Sequence, residues 1–376
     1  MTCLYLGEPR ADRALWARDN HAVRRFRRFA GVGAFTTLLA LVSPNAGAQS
    51  AGAHALSLIE PGAMTAAPDG GLYIYDMSRH QVLLRDPNGA MRVVVGNGIV
   101  GSAGDGGPAT RAALGPVAAL ALAPDGTLYI SGGNRVRAVS PSGVITTVAG
   151  NGQDPGICKL TNGTIATHVA SGSPGIAVSP SGHLYLTGPC NADVTVLRGR
   201  RLHLVLVPAS FLGADPLFPE DREPGPSAIA FDRAGDLYIG GTDPYTVFAL
   251  RPGGRLHTIG FLRLEPPDAL AAGPPGSVVD AGNLSLVRFS ATAHWSGSSR
   301  PAGHLLFNYS LRGLLPGEQY FADGGVAVFP NGTAVVDGNA FFGPGDCHHA
   351  LLIEVTPKGQ LKLIGNWQPH ESGPSC

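Results

Sequence analysis

One phrase recurs along the chain and constrains its fold more than any other feature. It reads Pro68-Asp69-Gly70-Gly71-Leu72-Tyr73-Ile74, Pro124-Asp125-Gly126-Thr127-Leu128-Tyr129-Ile130, Pro180-Ser181-Gly182-His183-Leu184-Tyr185-Leu186 and Arg233-Ala234-Gly235-Asp236-Leu237-Tyr238-Ile239. A weaker copy stands at Pro330-Asn331-Gly332-Thr333-Ala334-Val335-Val336. The positions Leu72, Leu128, Leu184, Leu237 and Ala334 are separated by steps of 56, 56, 53 and 97. Self-similarity at such a period is the mark of stacked supersecondary units, each unable to bury its own apolar faces. The last step holds two units, which places a degenerate one at 263–322, where 284–289 and 304–309 read as strands. The count is six.

Each unit has one grammar: apolar strand, Pro-x-Gly turn, Leu-Tyr-Ile strand, loop, third strand, second Gly turn, fourth strand. In the second unit these are 118–122, Asp125-Gly126, 127–131, 135–139, Ser142-Gly143 and 145–148. Short Gly-containing connections between apolar runs are hairpin signals, because Gly accepts the positive φ that tight turns demand. The unit is therefore a four-stranded antiparallel meander, and stacking six of them radially predicts an all-β, six-bladed β-propeller over residues 49–376. Gly and Pro together number 84 of 376 residues, and charged residues are only 14%, as expected of short strands joined by many turns. An apolar stretch at 54–59 is read as a strand that could join the last blade and close the ring.

Val95-Gly96-Asn97-Gly98, Gly104-Asp105-Gly106-Gly107-Pro108-Ala109-Thr110, Asn134-Arg135-Val136-Arg137 and the run from Gly143 to Gly152 resemble NHL-repeat propellers. The resemblance is strongest over 92–152 and extends over 61–257, with a fainter trace at 323–367. It implies a propeller that binds a partner rather than transforming one. The family usually places Asp after the Leu-Tyr-Ile strand; Asp76 keeps it, whereas Gly132, Gly188, Gly241 and Gly338 do not.

The first 48 residues read as a leader. Arg24-Arg25-Phe26-Arg27-Arg28, an apolar run from Ala30 to Val42 and the small residues Ala46-Gly47-Ala48 follow the order of a secretory signal peptide. Cleavage is expected between Ala48 and Gln49, with Sec export favoured over a twin-arginine route and Val23 as an alternative translation start. Export implies a secreted, periplasmic or cell-surface protein. The apolar run is too short to span a bilayer core of about 30 Å as a helix, so no stable membrane insertion is expected after cleavage. Seven of the 27 basic and three of the 27 acidic residues fall in this leader, which leaves 20 basic against 24 acidic in the remainder. Lacking a basic stripe, that remainder lacks the counterion-releasing surface of a nucleic-acid binder.

In a meander running from inside to outside, the a–b and c–d turns share one face, and the b–c and d–a loops share the other. The long insertions at 97–114, 150–172, 208–226 and 340–349 are all of the second kind, so they are expected to gather on one face over the central channel, where binding residues would sit. The candidates there are Asp76, His80, Asp105, His168, Asp243, Asp346, His348 and His349. No cofactor is called for; if an ion is held, calcium or zinc suits carboxylate and imidazole donors. Cys158, Cys190, Cys347 and Cys376 remain after cleavage, and an even count in an exported chain favours disulfides, read as Cys158–Cys190 and Cys347–Cys376. A zinc site at Cys347 with His348 or His349 is the alternative. Gly104 to Arg111 lacks the Gly-Lys-Ser/Thr ending of a phosphate loop and reads as a turn with Pro108 opening a short helix. Asn162, Asn283, Asn308 and Asn331 head Asn-x-Ser/Thr sequons.

With a clear scaffold and no Gly-x-Ser-x-Gly elbow, the reading is a monomeric, non-enzymatic module for an extracellular protein, peptide or glycan. The competing reading is a divalent-metal lactonase- or lyase-like propeller, which requires carboxylates converging from several blades.

Overall fold

In the computed structural model the described residues are 58, 60–154, 160–172, 174–187, 193–206, 226–242, 245–261, 269–282, 285–290, 304–308, 319–321, 325–342 and 347–367. Strands dominate them. Blade 1 consists of β1 (Pro61–Ala66), β2 (Leu72–Asp76), β3 (Gln81–Arg85) and β4 (Met91–Val95), and blade 2 of β5 (Val117–Leu122), β6 (Leu128–Gly132), β7 (Arg135–Val139) and β8 (Ile145–Ala149). A two-residue strand, β9 (Thr164–Ile165), precedes blade 3, whose meander is β10 (Ile176–Val178), β11 (Leu184–Thr187), β12 (Val194–Arg198) and β13 (Arg201–Leu206). Blade 4 holds β14 (Pro226–Phe231), β15 (Leu237–Thr242), β16 (Tyr245–Leu250) and β17 (Leu256–Phe261). Blade 5 holds β18 (Ala269–Ala272), β19 (Ser277–Gly282), β20 (Ser285–Ser290) and β21 (His304–Asn308). Blade 6 closes the chain with β22 (Gln319–Phe321), β23 (Val326–Val328), β24 (Ala334–Phe342), β25 (Cys347–Val355) and β26 (Leu361–Trp367).

Each blade is built on an antiparallel four-stranded meander in chain order; in blade 3 β9 adds to the edge of β13, and in blade 6 β22 and β23 both pair with β24. The inner strands β1, β5, β10, β14, β18 and β23 touch one another in a closed circuit, so the chain is a six-bladed β-propeller. The degenerate stretch supplies a complete four-stranded sheet, using 269–272 and 277–282 besides the two strands legible in the sequence. The proposed closing strand at 54–59 lies outside the described residues except for Leu58, which is fully buried among Met64 and Ile74 of blade 1 and Val335 and Leu352 of blade 6.

The turns follow from local chemistry. Asp69 and Asp125 accept the amides of Gly71 and Thr127 at 3.0 and 2.9 Å, while Gly70 and Gly126 take φ of 91° and 86°. Among the described residues the buried apolar side chains form six clusters, one at each seam between neighbouring blades. The seam of blades 3 and 4 shows how the repeated phrase builds them: Tyr185 is 2% exposed and meets Phe231 edge-on, with ring centroids 4.7 Å apart. Pairs of that kind add about 0.5–1.5 kcal/mol beyond the area they bury.

Two long d–a connections correct the expectation that loop mass gathers over the channel. The chain from Gly104 to Ala109 runs antiparallel along the outer strand of blade 2: Gly106 N–H donates to Ile145 O, Ile145 N–H to Gly107 O, and Ala109 N–H to Gly143 O. It ends in a 3-10 turn, Ala109–Arg111, opened by Pro108. The second connection does the same to blade 3. There β9 pairs with β13, Ala166 N–H donates to Arg200 O, and a 3-10 turn spans Ala166–His168. Each connection is a clasp donated by one blade to the outer edge of the next. Their roots match as well, since Gly96 N–H bonds Ala109 O and Gly150 N–H bonds Ala166 O. Gly96 (φ 98°) and Gly150 (φ 83°) lie so near the carbonyls of His80 and Asn134 that a Cβ at either would collide with main chain. The reading of 340–349 as a loop is corrected too. Residues 340–342 and 347–349 extend the β24–β25 hairpin, with Phe342 opposite Cys347 and Ala340 opposite His349.

Candidate functional site

The channel is where all six blades meet, and its wall is set by bulges at the starts of the inner strands. In blade 1 the register passes from Pro61↔Asp76 to Met64↔Ile74, in blade 2 from Val117↔Gly132 to Ala119↔Ser131, and in blade 4 from Pro226↔Gly241 to Ala228↔Gly240. Each leaves one extra residue on the inner strand, bending it at the rim. The rim residues are small: Gly62, Ala118, Gly175, Ser227, Ala269 and Gly325 each contribute to the wall from a different blade. Close approach explains part of this choice, since a Cβ on Gly325 would strike the carbonyl of Gly62 and one on Gly175 the carbonyl of Ser227.

Deeper in, one apolar side chain per blade narrows the channel. Met64, Leu120, Ile176, Ile229, Leu270 and Val326 border both an outer chamber of about 300 Å³ and an inner one of about 190 Å³. The outer chamber opens on the b–c and d–a side, where Met77 of the first b–c loop joins its wall. No charged side chain lines it among the described residues. It suits a neutral, largely apolar group, with bulge amides and carbonyls and the Ser227 hydroxyl, which donates to Gly240 O at 3.3 Å, as its polar features.

Among the described residues, none of those singled out from the sequence lines this chamber. Asp76 is fully buried and accepts from Arg79 N–H at 3.2 Å, with the Arg79 guanidinium 3.5 Å away, so it caps its own b–c loop. His80 takes a φ of 51°, and its Nδ1 lies 3.1 Å from the hydroxyl of Tyr75, which donates to Gly115 O across the seam. Asp105 belongs to the first clasp and His168 to the second, both on outer edges. Asp243, Asp346, Cys158, Cys190 and Cys376 lie outside the described residues. Cys347, His348 and His349 begin β25, paired along the hairpin.

Asp105 has a structural task. Its Oδ1 accepts from Arg137 Nε at 2.9 Å and Nη2 at 2.6 Å, and its Oδ2 accepts the amide of Thr147 at 2.9 Å. Burial pushes its carboxyl up, but the Thr147 side chain, the Arg137 guanidinium and the Thr147 amide together outweigh that and hold it below the usual carboxylate range. Arg137, with a side chain only 4% exposed, also donates to the carbonyls of Ala113 and Ala103. Arg137 belongs to the Asn134-Arg135-Val136-Arg137 stretch that resembles NHL repeats, but spacing alone assigns it no role. A second cluster that the sequence did not signal is Asp232, 2% exposed, which accepts from the amides of Ala234, Asp236 and Gly276 and from the Tyr238 hydroxyl. Burial, then the neighbouring carboxylates, pushes the Tyr238 phenol up; burial, then Asp232, raises Asp236.

No family model matches the sequence. Teneurin-m of Drosophila melanogaster is 28% identical over 209 residues, a stretch covering 49% of this chain and 8% of teneurin-m. Among solved structures, a gluconolactonase from Xanthomonas campestris aligns with a TM-score of 0.47 at 15% identity, covering 82% of this chain and 87% of that one. Virginiamycin B lyase from Staphylococcus aureus aligns at 0.45 and 12%, covering 82% and 87%, and a calcium-binding regucalcin from Agrobacterium tumefaciens at 0.44 and 13%, covering 75% and 83%. Likenesses this distant carry no conclusion about activity, and the six-bladed architecture rests on the chain's own sheets.

Proposed function

We propose that the chain is an NHL-like, extracytoplasmic binding module, a monomer that receives a protein, peptide or glycan on its b–c and d–a face. It seats a neutral, mainly apolar group of that partner in the outer chamber. The observation that supports this reading is the chamber wall, which all six blades build from small and aliphatic residues, with no charged side chain among the described ones. A lactonase or lyase acting through a divalent ion needs Asp, Glu or Asn side chains converging from several blades; among the described residues Asp76 caps its loop, Asp337 accepts from Gly325 N–H at 2.8 Å, Asp280 is buried in blade 5, and none of the three lines the chamber. Export with cleavage between Ala48 and Gln49 belongs to the same proposal, and the mass of the mature chain checks it.

The test is ligand-observed NMR with neutral N-acetyl amino-acid amides and alkyl glycosides, against the wild-type chain and Ala118→Trp, which fills the chamber from its exposed wall. Apolar probes are expected to bind the first and not the second. Equal binding to both would remove the chamber from the reading. A rise of several degrees in melting temperature on adding calcium, zinc or manganese to the chelated chain, together with lactone turnover, would replace the module with the enzyme.

A further inference from the structure

Blades 2 and 3 wear the same clasp, but the two edges differ in charge. In blade 2 the clasp's Asp105 accepts the amide of the outer-strand residue Thr147; at the matching place in blade 3, Asn162 Oδ1 accepts the amide of Leu204 at 3.1 Å. An amide thus replaces a carboxylate on the edge richest in arginine. The turn from β12 to β13 reads Arg198-Gly199-Arg200-Arg201, with Arg198 directly opposite Arg201 in the register. Arg200 and Arg201 are exposed, as is His168 on the clasp, and His203 follows on β13. Arg201 Nη1 donates to Gly163 O at 2.6 Å and Ala166 N–H donates to Arg200 O, so the clasp holds the Arg201 side chain and the main chain of Arg200. From 160 to 206 the sequence has one carboxylate, Asp193, which is buried at the other end of β12.

Like charges directly opposite in a sheet are unfavourable, so a turn that keeps two guanidiniums face to face concentrates positive charge on this edge at some cost, as functional surfaces do. The corresponding hairpins of blades 1, 2 and 6 mix signs or carry none: Arg85, Asp86 and Arg92 in blade 1, Ser140 to Val144 in blade 2, and Glu354 opposite Lys362 in blade 6; the turn of blade 4 also carries two arginines, Arg251 and Arg255, but Arg251 lies within electrostatic reach of Asp236.

We propose that this edge of blade 3 is a docking surface for a polyanionic glycan bearing carboxylates or sulfates. Guanidinium forks fixed on a rigid turn recognise such groups by bidentate, charge-assisted hydrogen bonds. A peptide cannot join as an added strand, because β9 already occupies the edge of β13. The turn offers no aromatic side chain on which a nucleic-acid base would stack. The surface is separate from the channel chamber, and neither reading depends on the other.

The test is binding of the full chain to heparin and to polygalacturonate across a salt series, with dextran, poly-L-glutamate and single-stranded DNA as comparators. Retention is expected on one or both acidic glycans and not on dextran; which glycan binds separates sulfate from carboxylate recognition. Arg200→Ser with Arg201→Ser is expected to weaken binding at least tenfold at low salt and to flatten the dependence of log K on log[salt] by about two counterions. Asn162→Asp keeps the oxygen that the clasp needs while adding a negative charge, and is expected to weaken binding several-fold with an unchanged melting temperature. Arg111→Ser on the other clasp leaves affinity within twofold. The proposal fails if neither glycan is retained at low salt, if the paired arginine variant binds as wild type, or if poly-L-glutamate or DNA binds more tightly than both glycans.

Discussion

Blade 2 and blade 5 have the same sheet and are secured differently. Blade 2 carries the full repeat phrase and a clasp from its predecessor, locked by Arg137 reaching through to Asp105 and two clasp carbonyls. Blade 5 has Asp280 and Ala281 in the second strand and is fastened to blade 4 by side-chain particulars: Asp232 takes the amide of Gly276, and the ring of Phe289, 1% exposed, lies where a Cβ on Gly260 would stand. One blade is held by a repeated main-chain device, the other by local substitutions. The comparison teaches that the propeller tolerates loss of the phrase wherever a neighbouring blade supplies a specific grip.

The largest effect should come from breaking the lock in blade 2. Arg137→Met takes the guanidinium from Asp105 and from the carbonyls of Ala113 and Ala103, and is expected to cost about 4 kcal/mol, at about 1.5 kcal/mol for each lost charge-assisted hydrogen bond. Urea denaturation should show a lower midpoint with an unchanged slope; a loss under about 1 kcal/mol would mean the clasp is decoration. The counterpart in blade 4, Asp232→Ala, strands the Tyr238 hydroxyl and the amides of Asp236 and Gly276, for an expected loss of about 3 kcal/mol. Hydrogen exchange should then rise first in blades 4 and 5; uniform exchange would deny that Asp232 is a local grip. Asp105→Asn makes the first clasp resemble the second. Because the Asp105 side chain is 39% exposed, solvent screening reduces the loss to about 1–2 kcal/mol. The wild-type contribution is present above the unfolded pKa of about 3.9 and is lost as pH falls through the lower folded value. The stabilities of wild type and variant should therefore converge in acid, and parallel curves would refute the assignment. The smallest effect is that of Asn162→Asp, within about 0.5 kcal/mol, because the bond to Leu204 survives and no buried arginine waits behind it.

The sequence made legible what rests on hairpin chemistry. Asp69-Gly70, Asp125-Gly126 and Ser142-Gly143 announce their turns through a φ requirement and an Asx bond, and the alternation around Leu-Tyr-Ile follows from blades packed on both sides. Blade 5 was half-hidden because Ala269 to Ala272 is too small and featureless a run to read as a strand. The clasps were hidden for another reason. Their pairing is between main-chain groups, and the outward signs are Gly-Asn-Gly at 96–98 and 150–152 with Ala-Thr at 109–110 and 166–167, spaced unequally by a longer second connection. The same blind spot misplaced Asp105 and His168 on the channel side. The chamber wall was illegible in principle, since small residues one per blade carry no signal until the ring brings them together.

The clasp also redraws the unit in which such a molecule can grow or shrink. A sheet cut out at its own first and last strands, 117 to 149, would leave behind the strap that sealed its outer edge, and the strap would meet a neighbour in the wrong register. The piece that can be copied or deleted cleanly runs from Gly96 to Ala149: connector first, sheet second, cut where one glycine root gives way to the next. In blades 2 and 3 of this chain the self-sufficient unit is thus offset from the visible sheet by one strap.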